Sequence, residues 1–205
     1  MTIDEIILEW CNKDDGLHAR KVGRYNASEI SSIKKGYLKP KDFFTKKKFD
    51  MRSARRISSG RILETGFEQM LLDLKIPHEY NPKYEVKIDD FVIVCKPDFI
   101  MKDFVIETKF PATEKTWDYL FESSKYQLAL EREVTGKDVY LGRFVLDGGN
   151  EFSLRFRKFL GGKELYAEAV DILRKFDSSL KIYISKYGTN KSGSQILEVP
   201  TSKKL

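Results

Sequence analysis

The stretch Lys96-Pro97-Asp98-Phe99-Ile100-Met101-Lys102-Asp103-Phe104-Val105-Ile106-Glu107-Thr108-Lys109 decides the fold. It reads as two short apolar strands joined by a tight turn. Side chains alternate faces along a strand, so Val105, Glu107 and Lys109 share one face while Ile106, Thr108 and Phe110 share the other. The first face begins apolar and ends charged. Asp98 follows the strand Phe91-Val92-Ile93-Val94-Cys95, where a packing residue is usual. Burying carboxylates in such a place is costly unless a cation or hydrogen bonds compensate. A divalent metal compensates economically, because Mg²⁺ takes one or two carboxylates together with waters and phosphate oxygens.

Working outward, Tyr84–Ile88 alternates as a strand, and Asp89-Asp90 makes a hairpin turn into Phe91–Lys96. Phe104–Phe110 is the third strand, ended by Pro111. A helix from Ser53 to Leu74 precedes these strands, with Leu63, Phe67, Met70, Leu71 and Leu74 as its apolar face. Another runs from about Lys115 to Val134, with Trp117, Leu120, Phe121, Leu128 and one of Tyr126 or Leu130 inside; Gly136 stops it. Val139–Leu146 and Glu151–Phe159 are strands around a Gly148-Gly149-Asn150 turn, and a last helix runs from Lys163 towards Tyr187. At the other end, Thr2 and Glu5 form a capping box for a helix with Ile6, Ile7 and Trp10 as its stripe. Asn12 to Arg24 reads as loop. Ser28 is placed as the cap of a short helix through Ile30 and Ile33 that ends near Gly36. The central order of helix, three strands, helix, strand gives an α/β class with a mixed sheet flanked by helices.

The chain has 205 residues, 41% hydrophobic, enough for one domain with a core. We expect a single domain over 1–187, made of a basic helical part (1–56), a central core (57–160) and a C-terminal helix (161–187), then a loose tail (188–205). Net charge is +6, but Lys34 to Arg61 holds eleven Lys or Arg and only two acids, Asp42 and Asp50. That segment carries +9 and the remainder −3. A basic segment beside an acidic centre suits a polyanion. Lys46, Lys47, Lys48, Arg52, Arg55 and Arg56 are the candidate phosphate contacts. Phe43, Phe44 and Phe49, interleaved with them, read as core. Two distant cysteines, Cys11 and Cys95, cannot build a four-cysteine metal site or argue for a disulfide framework. No apolar run approaches a membrane span and no signal segment is visible, so a cytoplasmic, intracellular setting without membrane contact is expected. His18 and His78 sit in no ligand pattern.

Asp98, then Glu107-Thr108-Lys109, resembles the PD-(D/E)XK nuclease superfamily, whose core has the same helix, strand, strand, strand, helix, strand order. The nearest resemblance is to its lambda-exonuclease and RecB-like branch, which includes the CRISPR-associated exonucleases. Gly60-x-x-x-Glu64 on the preceding helix, Glu107-Thr108-Lys109-Phe110-Pro111, and Tyr126-Gln127-Leu128 on the following helix carry it. Asn26-Ala27-Ser28-Glu29-Ile30 is similar to a serine-containing segment near that branch's N-terminus. The resemblance spans about residues 26–147. It departs where iron–sulfur members have four cysteines, so no cluster is expected here, and where Glu64 replaces the histidine of CRISPR-type members. That leaves an all-oxygen site, which favours Mg²⁺ or Mn²⁺.

The resemblance implies a restriction-endonuclease-like αβββαβ core and metal-dependent hydrolysis of DNA phosphodiesters in replication, recombination or repair. It implies Asp98 and Glu107 as metal ligands with the Thr108 backbone carbonyl, and Glu64 at a second metal or its water. Lys109 then activates water or stabilises the phosphate, and Gln127 positions Lys109 or the scissile phosphate. Glu64 lies roughly 75° from the centre of the apolar helix face and Glu68 roughly 115°, which keeps Glu68 in reserve. Exonuclease and endonuclease both stay open. The alternatives are a Holliday-junction resolvase-like, homodimeric endonuclease and an inactive DNA-binding protein.

Overall fold

The computed structural model describes residues 1–13, 20–45, 49–109, 116–146 and 152–188. His18, Lys46–Lys48, Phe110, Pro111, the Gly148–Asn150 turn and the chain from Thr189 on lie outside the described residues. Helix α1 (Ile3–Lys13) opens on the expected capping box: the Thr2 N–H donates to Glu5 Oε2 (2.6 Å) and the Glu5 N–H to Thr2 Oγ1 (3.2 Å). Its expected stripe is wrong, because Ile6 and Trp10 are exposed. α1 lies on α3 (Met51–Asp73) through buried Cys11, whose thiol reaches the Ala54 carbonyl. Trp10 instead lies under the Arg61 guanidinium.

The segment expected to be loop ends in a strand, β1 (Arg24–Asn26). Only Tyr25 of its three residues is buried, too short a run for alternation to be visible. Ser28 is not a cap. It sits exposed inside a 3₁₀ turn, and Glu29 reaches back to the Asn26 backbone N–H (3.2 Å) to close the entry to α2 (Ile30–Lys34). Gly36 follows at φ +70°, a left-handed position that glycine takes without strain. In α3 the buried residues are Ala54, Ser58, Phe67 and Leu71. Met70 and Leu74 stay exposed because only the Phe67–Leu71 face meets the sheet.

Two sheets follow. The first joins β1, β4 (Phe91–Cys95) and β3 (Tyr84–Ile88) in the order β1-β4-β3. The second has the order β2-β5-β6-β7-β8, with β2 (Glu79–Tyr80), β5 (Phe99–Ile100), β6 (Phe104–Lys109), β7 (Asp138–Leu146) and β8 (Phe152–Lys158). β6 and β7 are parallel, which requires a crossover, and α4 (Trp117–Thr135) supplies it. β6 is covered on both faces. Val105 packs with Leu128 and Ala129 of α4, while Ile106 packs with Phe67 and Leu71 of α3 and with Phe99. The architecture is the expected mixed α/β one.

Helix α5 (Lys163–Tyr187) belongs to the core. Leu173, Phe176 and Leu180 pack with Tyr25, Phe43, Phe91 and Ile93, so Phe43 is core as expected. The buried Tyr25 hydroxyl donates to the buried Asp177 carboxylate, which Lys181 also contacts (2.7 Å). Burial and this bond together push the Tyr25 hydroxyl's pKa above its ordinary range. Tyr25→Phe keeps the ring contacts and takes a donor from a buried carboxylate. We expect a loss of about 1–3 kcal/mol in urea unfolding, with the native circular dichroism spectrum retained.

Candidate active site

The register of β5 on β6 pairs Phe99 with Ile106 and Ile100 with Val105. Continued by one residue, it sets Asp98 across from Glu107. Asp98 Oδ2 accepts from the Thr108 N–H and the Thr108 hydroxyl, both at 2.6 Å. These two bonds fix the carboxylate at the edge of β6. Glu107 points to the α4 side and is 2% exposed. Lys109, two residues on and therefore on the same face, donates from its ammonium to Glu107 Oε1.

Glu64 joins from α3. Its carboxylate accepts from Asn81 Nδ2 (3.1 Å), and the Asn81 backbone N–H donates to the Asp98 carbonyl (2.9 Å). Asn81 holds a left-handed conformation (φ +51°), tolerable for asparagine, and so bridges the helix to the Pro97-Asp98 bend. Glu64 also hydrogen-bonds to the Tyr80 hydroxyl, while Glu68, the reserve candidate, acts on that hydroxyl only through its charge. Of the expected acids, Glu64 and Glu107 each lie within electrostatic reach of Asp98.

From α4, Gln127 is buried and donates to Glu131 Oε1 at 2.9 Å. Glu131, which the sequence reading passed over, is 0% exposed. It stands four residues after Gln127, the helical spacing that brings side chains together, and that spacing was its only signal. Asn81 had no such signal, since Asn81-Pro82 reads as an ordinary turn. Arg143 was also missed. β7 pairs it with Lys109, and its buried guanidinium covers the Trp117 ring at 4.4 Å.

Burial first, then repulsion from Asp98, pushes the Glu107 carboxyl up to about 7. Burial and the Glu107 charge hold Glu131 well above the ordinary carboxylate range. Burial and Asp98 raise Glu64. For Lys109, burial works against the charged form, but Glu107 and Asp98 outweigh it and keep the ammonium protonated. Among the described residues, neither Glu107 Oε2 nor Glu131 Oε2 accepts from an N–H donor, and the two carboxyl groups hydrogen-bond to each other, which requires a proton between them. Also among these residues, no three His, Cys, Asp or Glu side chains converge into a ready-made metal cage. The donor set still fits a hard divalent cation, because every candidate ligand atom is oxygen and the buried Glu107 Oε2 takes no N–H donor.

Lys109 and Gln127 open onto a cavity of about 230 Å³ lined by hydroxyls: Ser28, Ser31, Ser32, Tyr37, Tyr119, Ser123 and Ser124, with Lys35. The lining contains no acid. On its far side Tyr126 is buried, as expected, with its hydroxyl against Lys34. Of the basic candidates, Arg52, Arg55 and Arg56 are exposed on α3, and Arg55 is held by Asp4 (2.5 Å).

Glu131→Gln leaves Gln127 an acceptor and removes a buried charge, whereas Glu131→Ala strips that acceptor and opens a void. A carboxyl whose folded-state value is raised costs stability as pH climbs past its ordinary value of 4.5. In EDTA, urea melts should show Glu131→Gln gaining on the parent as pH rises, by at most about 1.4 kcal/mol per pH unit. The Ala variant should lose about 2–4 kcal/mol near pH 4, where Glu131 is protonated, and that deficit should narrow as pH rises. A Gln variant less stable than the parent at pH 8 contradicts this account.

No protein-family model matches the sequence, and no curated protein matches it. Among solved structures, SSO0001 superposes with a TM-score of 0.61 at 15% identity, covering 90% of this chain and 88% of that one. The alkaline exonuclease LHK-Exo from Laribacter hongkongensis superposes with a TM-score of 0.56 at 14% identity, covering 80% of this chain and 91% of its own. Its complex with dAMP gives the same score and identity, over 84% and 97% of the two chains. At such identities the likeness is one of fold. The chain has the mixed α/β, restriction-endonuclease-like architecture of these proteins.

Proposed function

We propose that the chain is a metal-dependent DNA nuclease of the PD-(D/E)XK type, in the lambda-exonuclease and RecB-like branch. The observation that carries this is the ladder register that faces Asp98 with Glu107, with the Lys109 ammonium on Glu107 and Glu64 tied to the same bend through Asn81. The fold shared with LHK-Exo, a protein that binds dAMP, supports the same reading. Asp98, Glu107, Glu64 and the Thr108 carbonyl would hold Mg²⁺ or Mn²⁺, which would supply Lewis-acid stabilisation of the charge that develops on the phosphate.

The chain's own residues do the rest. The hydroxyls of Ser28, Ser32 and Ser124 and the Lys35 ammonium donate to phosphate oxygens in the cavity beside Lys109, while those of Ser31 and Ser123 are held by backbone carbonyls. Lys109, held as an ammonium, stabilises the phosphate's negative charge where it faces the cavity. Gln127, clamped by Glu131, presents a fixed amide on the same wall. Arg52 and Arg56, exposed on α3, reach the DNA backbone without reading sequence. Exonuclease action is favoured over junction cleavage, because the superposing structures include an exonuclease along most of its length.

Linear, circular and four-way-junction DNA, incubated with Mg²⁺, Mn²⁺ or EDTA, test this reading. We expect linear strands to be degraded with either ion and closed circles to be spared, and no cutting in EDTA. Lys109→Ala and Asp98→Ala should each slow cleavage by about 10²-fold or more while leaving DNA binding in place. Wild-type rates in both variants remove the assignment of the site. Binding without cutting under every ion makes the chain an inactive DNA-binding protein.

A further inference from the structure

A second concavity lies where α5 ends against the Lys39–Asp42 turn. It encloses about 500 Å³ and is lined by Lys39, Pro40, Lys41, Ser179, Ile182, Tyr183, Lys186 and Tyr187. Three features set it apart. Its lining holds three lysines and no acid. Its floor is apolar and aromatic: Tyr183 and Tyr187 lie with ring centroids 4.9 Å apart, and Ile182 is exposed beside them. Lys186 places its ammonium over the Tyr187 ring at 5.2 Å, which sets that charge beside the aromatic pair.

The groove is also continuous with the candidate active site along the chain. Lys35 and Tyr37 line the cavity at Lys109, and Lys39 and Lys41 line the groove. An extended chain from Tyr37 to Lys41 covers at most about 14 Å, so one short polymer spans both concavities. A pair of tilted rings flanked by cations matches a strand whose bases are unpaired and whose phosphates meet the lysines. A duplex, with its bases stacked inside, gives the rings nothing to contact.

We infer that the Lys39/Lys41/Lys186 groove, floored by Tyr183 and Tyr187, is an accessory site for single-stranded DNA that continues from the cavity at Lys109. The direction of that path rests on the proposed reaction centre; the groove itself does not.

Fluorescent oligothymidylate, binding measured by anisotropy in EDTA, is the test. The triple variant Lys39→Glu, Lys41→Glu, Lys186→Glu should bind about tenfold or more weakly, with its log affinity against log salt flattened by about 0.7 per lysine. Tyr187→Ser should weaken oligothymidylate about fivefold or more and leave an abasic strand of equal length unaffected. Melting temperatures of the variants confirm that they fold. Unchanged binding in the triple variant overturns the groove, as does an equal Tyr187→Ser loss for the abasic strand or for duplex DNA. Weaker binding by the variants of a protein that never cuts keeps the groove and removes the nuclease, so the two readings fail separately.

Discussion

A carboxylate inside a two-sided sandwich governs this structure. β6 is covered by α3 on one face and α4 on the other, and strands buried on both faces are ordinarily apolar throughout. Val105 and Ile106 obey that rule and Glu107 breaks it. The break is tolerable only because compensation is local. Lys109 is on the same face, Asp98 is kept by Thr108 at the strand edge, and Gln127 and Glu131 close the α4 side. The charge appears at the carboxyl end of a strand paired in parallel, where α/β sheets open onto their ligand crevices.

This compensation is incomplete, and the incompleteness carries information. A purely structural ion pair would satisfy every oxygen, because a half-satisfied buried polar cluster costs more than an apolar one. Here Glu107 Oε2 has only the Glu131 carboxyl beside it and no N–H donor among the described residues, and Glu64, Glu107 and Glu131 are all raised by burial first and then by neighbouring carboxylates. Strain of this kind persists where binding relieves it.

How much of this was legible in the sequence depended on whether a residue's role was local. The alternation along Val105–Lys109 is a local property, so the faces of β6 were readable, as were the bounds of β3 and α5. Thr2 and Glu5 signal a cap within one turn, and that too was readable. The roles of Asn81, Glu131 and Arg143 come from contacts across the fold. Asn81 matters because a left-handed bend delivers it to Glu64, and Arg143 because β7 happens to register on Lys109. Ile6, Trp10, Met70 and Leu74 have helical spacing, but spacing says which residues share a face and not whether a partner covers that face. β1 and β2 escaped notice because two or three residues cannot display a period.

The polarity of the site also assigns its two approaches. Acids come from the α3 and β5 side, through Glu64 and Asp98, while hydroxyls and Lys35 come from the α2 and α4 side. β6 runs between them, with Glu107 and Lys109 on its α4 face. On the proposed reading, a phosphodiester would be repelled by the acidic side and admitted by the hydroxyl side, so a polynucleotide backbone would enter over α2 and meet Lys109 first. Positive charge is needed between that phosphate and the carboxylates, and one ammonium already shared with Glu107 does not supply it alone. The proposed cation would complete the arrangement at Glu107, whose Oε2 takes no N–H donor among the described residues.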